Sequence, residues 1–116
     1  MLNLIEQESF FFVIYMRLVS IKPSSNNDKK LMATFERDNG RTITTHFGAK
    51  GLKDFTIYSK GDKQLAKEKK ASYLARHRVN ENWNDPTSAG ALSRWILWNL
   101  PTKEASIVDF KKRFNL

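Results

Sequence analysis

The tripeptide Asp38-Asn39-Gly40 separates two runs of strand-forming residues and limits the possible fold more than any other feature of the chain. The runs cover residues 30–37 and 41–47, and the second is rich in β-branched side chains, which favour strands. Since Asn-Gly supplies the positive φ angles that a type I′ turn needs, the pattern predicts an antiparallel hairpin with such a turn. Alternate side chains of the second run should then face opposite sides of a sheet.

One further strand and three helices complete the predicted fold. Residues 16–22 alternate imperfectly between apolar and polar side chains before a loop that begins at Pro23, so we expect a strand there. Residues 52–58 are predicted to be a short extended piece or an irregular connector. Helical composition or apolar spacing predicts three helices, at residues 63–78, 89–98 and 103–114. Asp62 is the predicted N-cap of the first. Strands followed by helices predict an α+β fold, an antiparallel sheet of about three strands with about three helices packed on one side.

Chain length and composition predict a single domain over residues 16–116, preceded by an N-terminal arm or extension over residues 1–15. A chain of 116 residues with 41% apolar side chains can bury one core. An apolar run, residues 10–16, begins in the arm, follows two glutamates and ends before Arg17. This run is too short to span a bilayer and lacks the preceding positive charge of a signal peptide. We interpret it as a strand or docking segment, and the alternative is an anchor that contacts a membrane.

The sequence carries little that predicts catalysis. The absence of cysteine excludes disulfides, cysteine-based metal sites and thiol nucleophiles, and the carboxylates are scattered singly. His46 and His77 are the two histidines, and we expect both to be structural or solvent-facing. An enzyme would need an occupied pocket with convergent polar groups, and we expect none. We therefore predict a protein that is not an enzyme, with no small-molecule substrate, cofactor or metal.

Most of the net charge of +8 lies in residues 50–78, where nine Lys and Arg residues accompany three Asp and Glu residues. If one side of the predicted helix at 63–78 is exposed, its cations form a stripe that can neutralise phosphates in a salt-dependent, sequence-tolerant way. The alternative is a helix whose charges are merely solvated. The candidate partner-binding residues of this basic face are Lys63, Lys67, Lys69, Lys70, Arg76 and Arg78.

A second candidate surface is aromatic. Trp95 and Trp98 are three residues apart, which should place both on nearly the same helix face. They can pack in the core, anchor a protein partner or stack on single-stranded bases, and the sequence leaves these alternatives open. The candidate partner-binding aromatic residues are Phe10, Phe11, Phe12, Trp83, Trp95 and Trp98.

The stretch Ser-Arg-Trp-Ile-Leu-Trp-Asn at residues 93–99 is distinctive. Further characteristic segments are residues 47–51, 54–57, 73–77, 81–83, 89–92 and 106–114. Together these segments resemble a small family of uncharacterised proteins that occur mainly in giant double-stranded DNA viruses of algae and amoebae. The resemblance covers roughly residues 17–116.

The resemblance implies a virion as the setting. We therefore expect a virion structural protein, a minor capsid component that binds neighbouring capsid or other virion proteins through its aromatic arm and Trp-rich helix. The alternative is a basic, non-sequence-specific nucleic-acid-binding protein that contacts DNA or RNA through the basic helix. In either case the protein would be made inside the host cell, in the cytoplasm or a virus factory, and located in the virion.

Overall fold

The computed structural model describes residues 16–116, and it confirms an α+β fold in which a three-stranded antiparallel sheet precedes the helices. The strands are β1 (Met16–Pro23), β2 (Lys29–Arg37) and β3 (Thr42–Ala49), and β2 lies in the middle. The pairing of β1 with β2 shifts between Leu18 and Ser20, which makes Val19 a bulge on an edge strand. The predicted arm, residues 1–15 with Phe10, Phe11 and Phe12, lies outside the described residues.

The hairpin between β2 and β3 is present, but its turn is not of type I′. Gly40 has a positive φ of 82°, whereas Asn39 does not, and type I′ requires positive φ at both central residues. The Gly40 N–H donates to the Arg37 carbonyl at 3.0 Å, and four residues, 38–41, connect the strands. The Asn39 side chain accepts a hydrogen bond from the Arg41 N–H at 3.0 Å, which stabilises this longer turn and removes the need for a left-handed Asn.

Four helical segments follow the sheet. They are α1 (Phe55–Tyr58), α2 (Lys63–His77), α3 (Ala89–Leu92) and α4 (Lys103–Phe114), and α3 continues directly into a π-helical turn, Ser93–Leu97. Asp62 caps α2 as predicted, because its side chain accepts from the Gln64 and Leu65 N–H groups. Of the extended piece or irregular connector predicted for residues 52–58, residues 52–54 are irregular, but residues 55–58 are helical. There, the buried Asp54 side chain accepts from the Thr56 and Ile57 N–H groups and so nucleates α1.

The core lies between the inner face of the sheet and the helical layer formed by α3, the π-helical turn and α4. Its buried members are Ala33, Phe35, Phe47, Leu92, Ile96, Leu97 and Phe110. The apolar spacing that predicts α4 corresponds to a buried face of this helix, since Phe110 is fully buried and Ile107 and Phe114 pack against the core. Within residues 16–116, no helix has both the length and the apolar composition needed to cross a membrane.

Helix α2 stands apart from this core. Its two buried residues, Ala66 and Tyr73, do not belong to the core cluster, and α2 packs instead on the short helix α1. The remaining face of the sheet is polar, with a hydroxyl pair between Thr34 and Thr44 and a hydrogen bond between His46 and Ser24. The offset position of α2 leaves open space between this helix and the end of the sheet.

Candidate functional site

A cleft of about 550 Å³ opens between the end of β3, the loop that follows it, α2 and the π-helical turn. We call it the larger cleft, and its volume is in the usual range for ligand-binding sites. Its floor includes the buried side chains of Phe47 and Leu97. Polar side chains from the sheet, the following loop and α2 line it, and the expectation that the protein is not an enzyme stays a prediction. Its charged lining residues are Lys29, Lys30, Lys53, Lys69 and Arg76, with Asp54 and Glu81 as the carboxylates.

A glycine that lines the larger cleft allows a close approach between β3 and the π-helical turn. Gly48 has a positive φ of 80°, and a Cβ atom added there would lie 2.7 Å from the Leu97 Cδ1 atom. Only a residue without a side chain therefore allows the end of β3 to approach the π-helical turn this closely. This contact joins the sheet to the helical layer beneath the larger cleft.

A smaller cleft of about 340 Å³ lies on the other side of α1. Its walls are mostly apolar, and its cationic lining residues are Lys30, Lys50, Lys60 and Lys103. Lys30, Asp54 and Leu97 line both clefts, so the two spaces adjoin. Together they bring eight cationic side chains to one region of the molecule against two carboxylates.

The wall shared by the two clefts contains an ion pair. The Lys30 Nζ atom lies 2.8 Å from the Asp54 Oδ2 atom, and the Asp54 side chain is 4% exposed. The same carboxylate caps α1, so the pair ties β2 to the helix that separates the clefts. The other seven cations of the clefts have no ion-pair partner within the described part of the chain, which leaves them able to bind an anion.

Four aromatic side chains form a row along the wall of the larger cleft, in the order Tyr58, Trp98, Tyr73 and His77. The Trp98 and Tyr73 rings are parallel within 5° at 4.3 Å, and the Tyr73 and His77 rings stack at 4.1 Å. Tyr58 is tilted against Trp98 at 6.4 Å. Burial in the row, and then the nearby Glu81 carboxylate, raise the pKa of the Tyr73 hydroxyl well above its usual value.

One of the predicted basic-face residues points inwards. Helical spacing places Lys70 in the same stripe as the buried Ala66 and Tyr73. The Lys70 Nζ atom donates to the Asn99 carbonyl at 2.7 Å and lies 4.8 Å from the centroid of the Phe55 ring. Burial, with the nearby Arg94 charge, lowers the pKa of Lys70. Lys70 therefore holds α2 to its neighbours.

The remaining five predicted cations are exposed and fall on two flanks of α2. Lys69 and Arg76 are seven residues apart and both line the larger cleft. The cleft lining does not include Lys63, Lys67 or Arg78, which helical spacing places on the opposite flank. The structure thus divides the predicted basic face into a cleft flank and an outer flank.

Trp95 and Trp98 both pack against the core, as one of the alternatives from the sequence predicted, but their rings have different further neighbours. The backbone N–H of Trp98 donates to the Ser93 carbonyl across the π-helical turn. This turn is wider than an α-helical turn, so it separates the Trp95 and Trp98 side chains, which a regular helix would align. Trp98 joins the aromatic row, whereas the Trp95 ring lies 4.1 Å from the Arg94 guanidinium and 3.7 Å from that of Arg113.

The third tryptophan completes the Trp95 cluster. The Trp95 indole N–H donates to the Trp83 carbonyl at 2.8 Å, and the Arg94 guanidinium lies 5.4 Å from the Trp83 ring. Burial, followed by repulsion from Arg113, lowers the pKa of Arg94. Trp83, Trp95 and Trp98 are all half-buried by contacts within the chain.

Several cleft residues were missing from the predicted site. Lys50, Lys53 and Lys60 belong to the charge-rich region of residues 50–78, so the charge count contained a signal for them. Lys29 and Lys103 reach the clefts from β2 and α4, and no local pattern links them to α2. Across residues 16–116, no group of His, Asp and Glu side chains is arranged to hold a metal ion.

Comparison with known proteins gives a family match. Residues 19–77, just over half of the 116-residue chain, match the family model of DUF5754, a family of unknown function. The chain belongs to the DUF5754 family. No curated protein and no solved structure matches the chain significantly.

The DUF5754 match includes most of the cationic lining of both clefts. It extends from β1 through the end of α2, and so includes every cleft cation except Lys103. The π-helical turn and α4 follow the matched range. The Ser-Arg-Trp-Ile-Leu-Trp-Asn stretch also lies beyond it, so the resemblance to giant-virus proteins stays a prediction.

Proposed function

We propose that the protein binds nucleic acid through the sugar-phosphate backbone, without sequence specificity, at the two clefts beside α1. The observation that carries the proposal is the concentration of eight cations against two carboxylates in two adjoining clefts. These groups account for most of the excess of positive charge, which is +8 over the whole chain. A polyanion that follows both clefts would meet a continuous positive surface.

The chemistry of the lining supports binding to phosphates rather than reading of bases. Seven of the eight cations are lysines. A lysine ammonium is a point charge on a flexible stem, so it can contact phosphates in many positions. Contacts of this kind fix the position of a nucleic acid but carry no sequence information. The ion pair between Lys30 and Asp54 keeps the wall between the clefts in place while the other cations remain available.

The geometry gives less support to a minor capsid role. That role was predicted from apolar docking surfaces, yet the three tryptophans are half-buried by contacts with Tyr73, Arg94 and Arg113. A capsid role stays a prediction that rests on the resemblance to giant-virus proteins. If the protein is located in a virion, the packaged genome would be the nucleic acid that it meets.

The proposal is tested by removing the same charge from the two flanks of α2. Fluorescence anisotropy would measure binding of a labelled oligonucleotide to the wild type and to two triple variants. The cleft variant carries Lys53→Gln, Lys69→Gln and Arg76→Gln. The control carries Lys63→Gln, Lys67→Gln and Arg78→Gln and has the same net charge. All six positions are exposed, so both variants should fold.

We expect the cleft variant to bind at least about tenfold more weakly, since three phosphate contacts are lost, and the control to stay within about threefold of the wild type. Equal losses in the two variants would contradict the proposal, because the attraction would then come from overall charge. The proposal would also fail if the wild type bound neither DNA nor RNA at low salt.

A further inference from the structure

The aromatic row of the larger cleft has one end that no other ring covers. Tyr73 is enclosed between Trp98 and His77, and the Tyr58 ring has the Lys53 and Lys69 ammonium groups each 5.9 Å from its centroid. His77 stacks on Tyr73 with one face only, and its side chain is 38% exposed. Of the rings that line this cleft, His77 therefore offers the accessible end of the stack.

We propose that an unpaired base of a single-stranded nucleic acid stacks on the His77 ring and extends this aromatic row. Stacking of unpaired bases on aromatic side chains, histidine included, is a common mode of single-strand recognition, and it tolerates any base because every base has a flat face. The proposal rests on the proposed function and adds a preference for single strands over duplexes.

The surroundings of His77 suit this role. Its Nδ1 atom lies 3.2 Å from the Glu81 Oε2 atom, which fixes the orientation of the ring. Glu81 also accepts from the Trp83 indole N–H at 3.1 Å and is thereby held in place. A ring fixed in this way loses little conformational freedom when a base stacks on it.

Cations suited to the phosphates lie on the same helix. Lys69 and Arg76 line the larger cleft on the flank of α2 beside His77, and neither has an ion-pair partner among residues 16–116. The bases of a duplex are paired and stacked on each other, so they cannot enter a cleft of about 550 Å³ to reach the ring. The cleft thus admits one or a few unpaired nucleotides and excludes a double helix.

Proton NMR of the full chain can test the stacking directly, because the chain has two histidines and one of them serves as an internal control. His46 lies on the polar face of the sheet, bonded to Ser24, and is not part of the cleft lining. The probes are a short oligothymidylate and an abasic strand of the same length and charge. We expect the ring protons of His77 to shift upfield with oligothymidylate alone, while those of His46 stay unchanged with both strands.

Affinity measurements provide a second readout. His77→Leu should weaken oligothymidylate binding about fivefold or more and leave binding of the abasic strand unchanged, whereas His77→Phe should retain both affinities. If both strands bind equally well and neither moves the His77 resonances selectively, the stacking proposal is overturned while the proposed function stands. If neither strand binds, both proposals fail.

Discussion

Replacing Lys70 by methionine should destabilise the fold while leaving nucleic-acid binding intact. The substitution removes the 2.7 Å hydrogen bond to the Asn99 carbonyl, a contact from a charged donor that is worth about 1.5–3 kcal/mol. It also removes the cation–π contact with Phe55, worth about 0.5–1 kcal/mol. Methionine keeps the apolar stem and avoids the cost of burying a charge. That cost is reflected in the pKa of Lys70, which burial lowers. We therefore expect a net loss of about 1–2 kcal/mol.

The neighbouring residue supplies the control. Lys69 is exposed, lines the larger cleft and makes only a long cation–π contact, 5.9 Å, with the Tyr58 ring, so Lys69→Met should cost less than about 1 kcal/mol of stability. It should instead weaken binding of a single strand and reduce the salt dependence of binding by about 0.7 in the log–log slope, the effect of one lost phosphate contact.

Urea denaturation followed by tryptophan fluorescence would measure the stability of the two variants, and anisotropy would measure their binding. A loss of 1–2 kcal/mol corresponds to a fall in the melting temperature of about 4–8 °C for a chain of this size. An inward-pointing Lys70 is refuted if Lys70→Met is as stable as the wild type and loses binding to the same extent as Lys69→Met. Lys70 would then belong to the exposed basic face, as the sequence alone predicted.

Three further predictions concern the residues that form the clefts. Gly48→Ala should lower the free energy of unfolding in urea by about 2–5 kcal/mol, because its backbone is left-handed and the added Cβ would lie 2.7 Å from Leu97 in the π-helical turn. Gly51 has a φ of 90° but open space around it, so Gly51→Ala should cost only about 1–2 kcal/mol. Equal costs would show that the close approach can relax. Asp54→Ala should lower the free energy of unfolding by about 3–5 kcal/mol, because it breaks the buried ion pair with Lys30 and removes a helix cap. Glu36→Ala, which breaks an exposed pair with Arg17, should lower it by less than about 1 kcal/mol. Burial raises the pKa of Tyr73, so the Tyr73 hydroxyl should lose its proton in the unfolded chain before it does so in the folded chain as the pH rises above 10.0. The wild type should therefore lose up to about 1.4 kcal/mol of stability per pH unit relative to Tyr73→Phe. Urea unfolding on either side of that pH would detect this dependence.

Local patterns were sufficient for the sheet and for most helix boundaries. Asp62 begins α2 because a carboxylate followed by strong helix formers satisfies the free N–H groups of the first turn. Helix α4 has the predicted bounds, Lys103–Phe114, because its apolar residues recur with helical spacing. The same capping rule applied to Asp54 would have predicted α1, but a four-residue helix has too few residues to show any periodicity.

The candidate site was predictable only in part, because its residues come from separate parts of the chain. The charge excess of residues 50–78 identified the region that supplies Lys53, Lys69 and Arg76. It could not show that Lys70 points inwards, since that follows from how α2 packs on α1. Nor could it show that the π-helical turn directs Trp98 towards Tyr73, because helical spacing in the sequence assumes a regular helix.

The salt dependence of binding shows whether the cations of the two clefts neutralise the phosphates of a nucleic acid. The larger cleft has four cations without an ion-pair partner in the described residues, and the smaller cleft adds three. If these groups neutralise four to seven phosphates of a single strand, the logarithm of the binding constant should fall with the logarithm of salt concentration with a slope between about −3 and −5. A slope near zero, or no measurable binding at low salt, would contradict the account.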